Sequence, residues 1–90
     1  MTERSLQITY RKGRPFAAYL HLSHRTGERS ARTEATRDGL FVVDYAADGS
    51  PIGLEITAPR AVSIEQINAV LERIGEGALG EQELRPLTAA

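Results

Sequence analysis

The 90-residue sequence predicts an α+β domain, an antiparallel β-meander of about five strands with one C-terminal helix packed on one face. Three observations lead to this prediction. In the first two thirds of the chain, apolar and polar side chains alternate in short segments, as expected for half-buried strands. Further along, apolar residues recur at the spacing of one amphipathic helix. Short polar turns separate the strands, which favours antiparallel neighbours.

The first two strands are predicted at residues 6–10 and 16–22, where apolar and other side chains alternate. The turn between them contains Gly13 and Pro15, two residues typical of turns. In the second strand the even-numbered positions are apolar. The odd-numbered positions, among them Tyr19, are therefore expected on the opposite face.

A third strand is predicted at residues 30–36, after a polar loop. Small residues alternate there with Arg32 and Glu34. Charged side chains are typical of an edge strand, because they discourage pairing with a further strand.

The strongest pattern is a β-hairpin in residues 39–56. Two runs of β-branched and aromatic residues flank a turn that contains Asp48-Gly49. Slipping the register by one residue would place apolar side chains of one strand opposite polar ones of the other. The pattern therefore predicts three apolar cross-strand pairs: Val43 with Leu54, Phe41 with Ile56, and Tyr45 with Ile52.

The helix is predicted to begin at Ser63, because Gln66 follows three residues later and completes a capping box. Gly75 occupies the position of a C-terminal cap. We expect the apolar stripe of the helix to cover the sheet face that carries Val43 and Leu54. Its members recur at helical spacing: Ile64, Ile67, Val70, Leu71 and Ile74.

These elements predict one domain at residues 1–75 and a flexible C-terminal tail at residues 76–90. The alternative is a tail that becomes ordered on a partner. The absence of cysteine excludes disulfides, thiolate catalysis and cysteine-based zinc sites. No signal-peptide pattern and no apolar run of about 20 residues occurs, so a cytoplasmic location without membrane contact is expected.

Charge is distributed unevenly along the chain, although the net charge is only −1. Basic residues outnumber acidic ones in residues 1–37, and acidic residues dominate residues 38–90. Such a chain could orient a charged partner or associate head to tail. The alternative is that the two halves interleave in one sheet and neutralise each other.

The strand patterns at residues 6–10 and 17–23 and eight positions of the hairpin form a recognisable motif. The hairpin positions are Gly39, Asp44, Tyr45, Asp48, Gly49, Gly53, Glu55 and Ile56. Through them residues 6–58 resemble the YuzE-like family, a set of small prokaryotic domains of unknown function. Some members of that family are similar to antitoxins, so the resemblance implies a small toxin-like protein as a partner. This chain departs from the family at Arg11, Lys12 and Arg14, where acidic residues are usual.

A candidate site on one sheet face consists of Asp44, Glu55 and His21. The predicted register makes the two carboxylates diagonal neighbours, a spacing that suits a metal ion or an acid–base pair. The alternative is a solvated face on which Glu55 pairs with Arg32. His24 is no further ligand, because residues three apart on a strand point to opposite faces. No catalytic or metal site and no cofactor is therefore assigned.

Residues 25–37 carry several arginines that could contact phosphates. Glu28 and Glu34 interrupt this cluster, and no aromatic residue accompanies it for stacking on bases. Nucleic acid is therefore not expected as a partner. The arginines in question are Arg25, Arg29, Arg32 and Arg37.

The sequence thus predicts a non-catalytic protein-interaction module with an antitoxin-like role. We expect a homodimer that pairs by its sheet edges or by the face that carries Tyr19 and Val42. Candidate interface residues are Tyr19, Val42 and Arg32, because an exposed aromatic among small residues suits a subunit contact. Two alternatives remain: a metal-dependent enzyme that uses the sheet-face carboxylates, and a weak nucleic-acid binder that uses the arginine cluster.

Overall fold

The computed structural model describes residues 4–22, 29–80, 82, 83 and 85. In this part of the chain five strands form one antiparallel sheet, and an α-helix of ten residues packs against it. The α+β fold is therefore confirmed. In chain order the elements are β1 (Ser5–Arg11), β2 (Arg14–His21), β3 (Arg32–Ala35), β4 (Phe41–Tyr45), β5 (Pro51–Ile56), a 3₁₀ turn (Pro59–Ala61) and α1 (Ile64–Arg73).

The strand order across the sheet is β1-β2-β5-β4-β3. Strands β3, β4 and β5 follow one another as a meander, and β1 and β2 form a hairpin. The two parts join where β5 pairs with β2, so the chain crosses from β2 to the far edge before it returns. Strand β5 is therefore central, whereas β1 and β3 are the edges.

The predicted register of the β4–β5 hairpin is confirmed over most of its length. Val43 lies opposite Leu54, and Phe41 lies opposite Ile56. The predicted pairing of Tyr45 with Ile52 is wrong, because the register shifts after Asp44 and places Tyr45 opposite Pro51. A β-bulge of this kind inserts one extra residue into a strand, and Pro51 has no N–H with which to extend the ladder.

Helix α1 begins and ends as predicted. The Ser63 side chain accepts a hydrogen bond from the Gln66 backbone N–H at 3.1 Å, and the Gln66 side chain accepts one from the Ser63 N–H at 2.7 Å. At the other end Gly75 has a φ of 82°, and the Glu76 N–H donates to the Leu71 carbonyl at 2.8 Å. This is the Schellman arrangement, in which glycine readily adopts the left-handed conformation.

The core lies between α1 and one face of the sheet. Val43 and Leu54 belong to the same buried cluster as Ile67 and Leu71, so the predicted covering of this face is confirmed. Ile64 is the exception in the stripe, because 38% of its surface is exposed. The largest fully buried side chains are Leu20, Phe41, Leu54, Ile56, Ile67 and Leu71.

Packing continues past Gly75, where the sequence predicts the domain to end. Leu79 is buried in the core cluster, and its backbone N–H donates to the Asn68 side chain at 2.9 Å. Residues 81, 84 and 86–90 of the predicted tail lie outside the described residues. The domain therefore includes at least the segment that carries Leu79.

Arg4, near the N-terminus, forms hydrogen bonds with the segment that follows α1. Its guanidinium donates to both carboxylate oxygens of Glu83 at 2.9 Å and to the carbonyls of Gly77 and Ala78. The Arg4 hydrogen bond lowers the pKa of Glu83. A bidentate arginine–carboxylate pair fixes geometry as well as charge, so this contact orients the segment after α1.

In the described part of the chain, no helix has both the length and the apolar content that spanning a bilayer requires.

Replacing Leu79 with alanine tests whether the segment after Gly75 is part of the core. We expect Leu79→Ala to lower the free energy of unfolding by about 2–5 kcal/mol, because it leaves a buried cavity. Urea unfolding measures the loss. The control is Ile64→Ala, which truncates a partly exposed side chain and should cost less than about 1 kcal/mol. Equal costs for the two variants would contradict the packing of Leu79.

Candidate functional site on the open face of the sheet

The sheet has two unlike faces, because α1 covers one of them and no described element covers the other. The register places two rows of residues on this open face. The first row is Gln7, Tyr19, Glu55, Val42 and Ala35. The second row is Ser5, His21, Gly53, Asp44 and Thr33.

A hydrogen bond from Tyr19 to Asp44 crosses the centre of the open face. The Tyr19 hydroxyl donates to Asp44 Oδ2 at 2.7 Å, although Tyr19 is on β2, Asp44 is on β4, and β5 runs between them. Gly53 on β5 makes the crossing possible, because a Cβ atom there would overlap the Tyr19 ring and hydroxyl. The glycine thus serves a close approach rather than an unusual backbone angle.

His21 extends this arrangement toward the β1 edge. Its ring lies edge-on to the Tyr19 ring with the centroids 4.8 Å apart, and its Nε2 lies 3.0 Å from Gln7 Oε1. Contacts therefore run without interruption from Gln7 through His21 and Tyr19 to Asp44. We call this set the open-face network.

The environment of Tyr19 keeps its phenol protonated. Burial raises the pKa of the Tyr19 hydroxyl, and the hydrogen bond to Asp44 and the negative charges of Asp44 and Glu55 raise it further. A phenol with a raised pKa donates a hydrogen bond and does not act as a base at neutral pH. Tyr19 is therefore a fixed donor that orients the Asp44 carboxylate.

The three predicted site residues share the open face but do not converge on one point. Asp44 accepts the Tyr19 hydroxyl, and His21 contacts Gln7. Glu55 is exposed, and it lies beside Tyr19 in the register. Within residues 4–22, 29–80, 82, 83 and 85, no three histidine or acidic side chains come together as potential metal ligands.

Arg32 is not where the sequence interpretation places it. It lies opposite Tyr45 in the register, its guanidinium stacks on the Tyr45 ring at 4.2 Å, and it pairs with Glu34 at 3.1 Å. It is therefore on the helix side of the sheet, and the expected Glu55–Arg32 pair is wrong. Of the three candidate interface residues, only Tyr19 and Val42 share a face.

The described arginines of residues 25–37 lie in different surroundings. Arg32 is held by Glu34, and Arg37 lies in the turn before β4, in a groove shared with Arg73 of α1. Arg29 is exposed. His24, Arg25 and Glu28 lie outside the described residues.

The comparisons leave the identity of the chain open. A scan against protein-family models, a search of curated proteins and a search of solved structures each returned no match. The likeness to the YuzE-like family therefore stays a prediction.

The contact between Gly53 and Tyr19 is tested by a double-mutant cycle. We expect Gly53→Ala to lower the free energy of unfolding by about 1–3 kcal/mol, because the new methyl group displaces the Tyr19 ring. In a Tyr19→Ala background the same change should cost much less, since the ring is gone. The control is Gly77→Ala, where the space around an added Cβ is open. Equal costs of Gly53→Ala in both backgrounds would rule out the proposed clash.

The raised pKa of Tyr19 predicts a dependence of stability on alkaline pH. Above the usual tyrosine pKa of about 10, the unfolded chain releases the Tyr19 proton while the folded chain keeps it. The free energy of unfolding should therefore fall as the pH rises above that value. Tyr19→Phe should show a smaller fall in urea unfolding measured at increasing pH. Tyr10→Phe, which removes an exposed tyrosine hydroxyl, is the matched control, and identical pH profiles for the two variants would contradict the assignment.

Proposed function

We propose that this chain is a non-catalytic protein-interaction module that forms a homodimer through the edge of β1. The observation that carries the proposal is the character of that edge. Strand β1 has seven residues, and the six from Ser5 to Tyr10 carry no charge. One side of β1 pairs with β2, and no described strand pairs with the other side. A long uncharged edge is a template for pairing with another strand.

The opposite edge of the sheet differs in the features that prevent pairing. Strand β3 has only four residues, and two of them, Arg32 and Glu34, are charged and paired with each other. Short charged edges are a common protection against strand addition. The contrast between the two edges therefore favours β1 as the interface.

Pairing of two β1 strands fits a two-fold symmetric dimer. An axis perpendicular to the sheet would bring the strands together antiparallel and keep both helices on the same side. Leu6 and Ile8 are half-buried and pack against the core cluster at this edge. In the dimer they would extend the apolar face of one copy into that of the other. Ile8, Thr9 and Tyr10 also have high β-propensity, which suits a central position in the joined sheet.

The open-face network supports a binding role rather than a reaction centre. Its polar groups engage each other, as in the Tyr19–Asp44 and His21–Gln7 contacts, and are not directed at one shared point. A surface with preset side chains loses little conformational entropy on binding a partner. We also propose an antitoxin-like role, which the resemblance to the YuzE-like family implies. The proposed cytoplasmic location rests on the sequence pattern alone.

The dimer interface is tested by adding one charge to each edge in turn. Thr9 on β1 and Thr33 on β3 are both exposed and occupy opposite edges of the sheet. We expect the unmodified chain to sediment as a dimer at micromolar concentration. Thr9→Lys should weaken the dimer at least tenfold, because an edge lysine opposes strand pairing. Thr33→Lys makes the same substitution on the other edge and should leave the dimer intact.

Analytical ultracentrifugation over a range of concentrations gives the dissociation constants, and circular dichroism checks that both variants fold. A monomeric unmodified chain would overturn the proposal. Dissociation by Thr33→Lys with no effect of Thr9→Lys would also overturn it, because it would move the interface to β3.

A further inference from the structure

Four cationic side chains that play no part in the core or the open face gather around one surface groove. The groove has a volume of about 750 Å³. It lies at the tip of the β1–β2 hairpin and extends to the 3₁₀ turn after β5. Its lining consists of Arg11, Lys12, Arg14, Pro15, Phe16 and Arg60.

The backbone of the hairpin fixes the positions of three of these cations. Arg11 lies opposite Arg14 in the strand register. The two residues between them, Lys12 and Gly13, have φ angles of 53° and 77°. Two consecutive positive φ angles define a type I′ turn, the tightest connection between antiparallel strands. The turn therefore brings Arg11, Lys12 and Arg14 together, and Arg60 joins them from the 3₁₀ turn.

These cations have no acidic partners within the described residues. Arg4 and Arg32 each pair with a glutamate, but Arg11, Lys12, Arg14 and Arg60 do not, and no acidic side chain lines the groove. Concentrated positive charge without counter-charge attracts anions from solution. The uneven charge along the sequence is thus partly a local feature of this hairpin.

An aromatic ring lies among the four cations. Phe16 is 51% exposed, and the Arg11 guanidinium lies 4.8 Å from the centre of its ring. The register of the β1–β2 pair shifts between Thr9 and Tyr10, so this end of the hairpin departs from the regular ladder. Exposed aromatic rings and arginine planes are the groups on which proteins stack unpaired bases.

We propose that this groove binds single-stranded nucleic acid. Lys12, Arg14 and Arg60 contact successive phosphates, and Phe16 with Arg11 forms a platform on which a base stacks. The cationic residues and Phe16 are all exposed, which suits an extended polymer lying along a surface better than a small ligand enclosed in a pocket. Charge alone would also suit an acidic peptide, but the aromatic platform favours a base. The inference is independent of the β1 dimer.

Binding is tested by fluorescence anisotropy of a short labelled oligo(U) with the 90-residue chain at several salt concentrations. We expect the logarithm of the association constant to fall with the logarithm of salt concentration with a slope of about −2 to −3. The double variant Arg14→Gln/Arg60→Gln should bind at least tenfold more weakly and with a shallower slope. Phe16→Ala should weaken binding about tenfold, since it removes the ring on which a base stacks.

The matched control is Arg29→Gln/Arg37→Gln, which removes the same charge from exposed positions outside the groove. It should bind like the unmodified chain, and circular dichroism confirms the fold of each variant. A loss of binding confined to this control would overturn the groove assignment in favour of the arginines in residues 25–37.

Two further arms test the class of ligand. A duplex of the same length and an oligoglutamate peptide compete with the labelled strand. We expect both to compete at least tenfold less well than unlabelled oligo(U). The proposal would be overturned if the peptide competed as well as oligo(U), or if oligo(U) did not bind at low salt. It would also be overturned if the duplex bound equally well and Phe16→Ala had no effect.

Discussion

The pairing of β5 with β2 is the constraint on which the rest of the structure depends. It joins the β1–β2 hairpin to the β3–β4–β5 meander, and it makes β5 the centre of one apolar face that α1 can cover. It also brings Tyr19 within reach of Asp44 across Gly53. Without this ladder the chain would consist of two small sheets, neither large enough to bury its apolar side chains alone.

The local elements follow closely from the sequence. Alternation defines the strands, the Ser63–Gln66 pattern defines the start of α1, and Gly75 marks its end. These signals depend on residues that are near each other in the chain. The bulge before Tyr45 could not be predicted from such signals, because it depends on how β4 and β5 stop pairing near Pro51. The burial of Leu79 could not be predicted in this way either, since Leu79 belongs to a core cluster most of whose members come from β2, β4 and β5.

The same contrast between local and long-range signals applies to the candidate sites. The register of a single hairpin places Asp44 and Glu55 on one face correctly. The Tyr19–Asp44 bond needs the β2–β5 pairing, for which the sequence carries no local signal, although a glycine opposite Asp44 is a hint of close approach. Arg32 is misplaced because the composition of a short edge strand does not determine which of its faces turns to the helix. The groove at Lys12 depends on a 3₁₀ turn more than forty positions further along the chain.

The clasp between Arg4 and Glu83, which spans 79 positions, has a kinetic implication. Closing a long loop costs entropy before any contact repays it, and chains rich in such contacts reach the native state slowly. The β3–β4–β5 meander and α1 are built from near neighbours, so they are suited to form early. The contact between Arg4 and Glu83 closes a much longer loop, so we expect it to form only after the first hairpin has docked on β5.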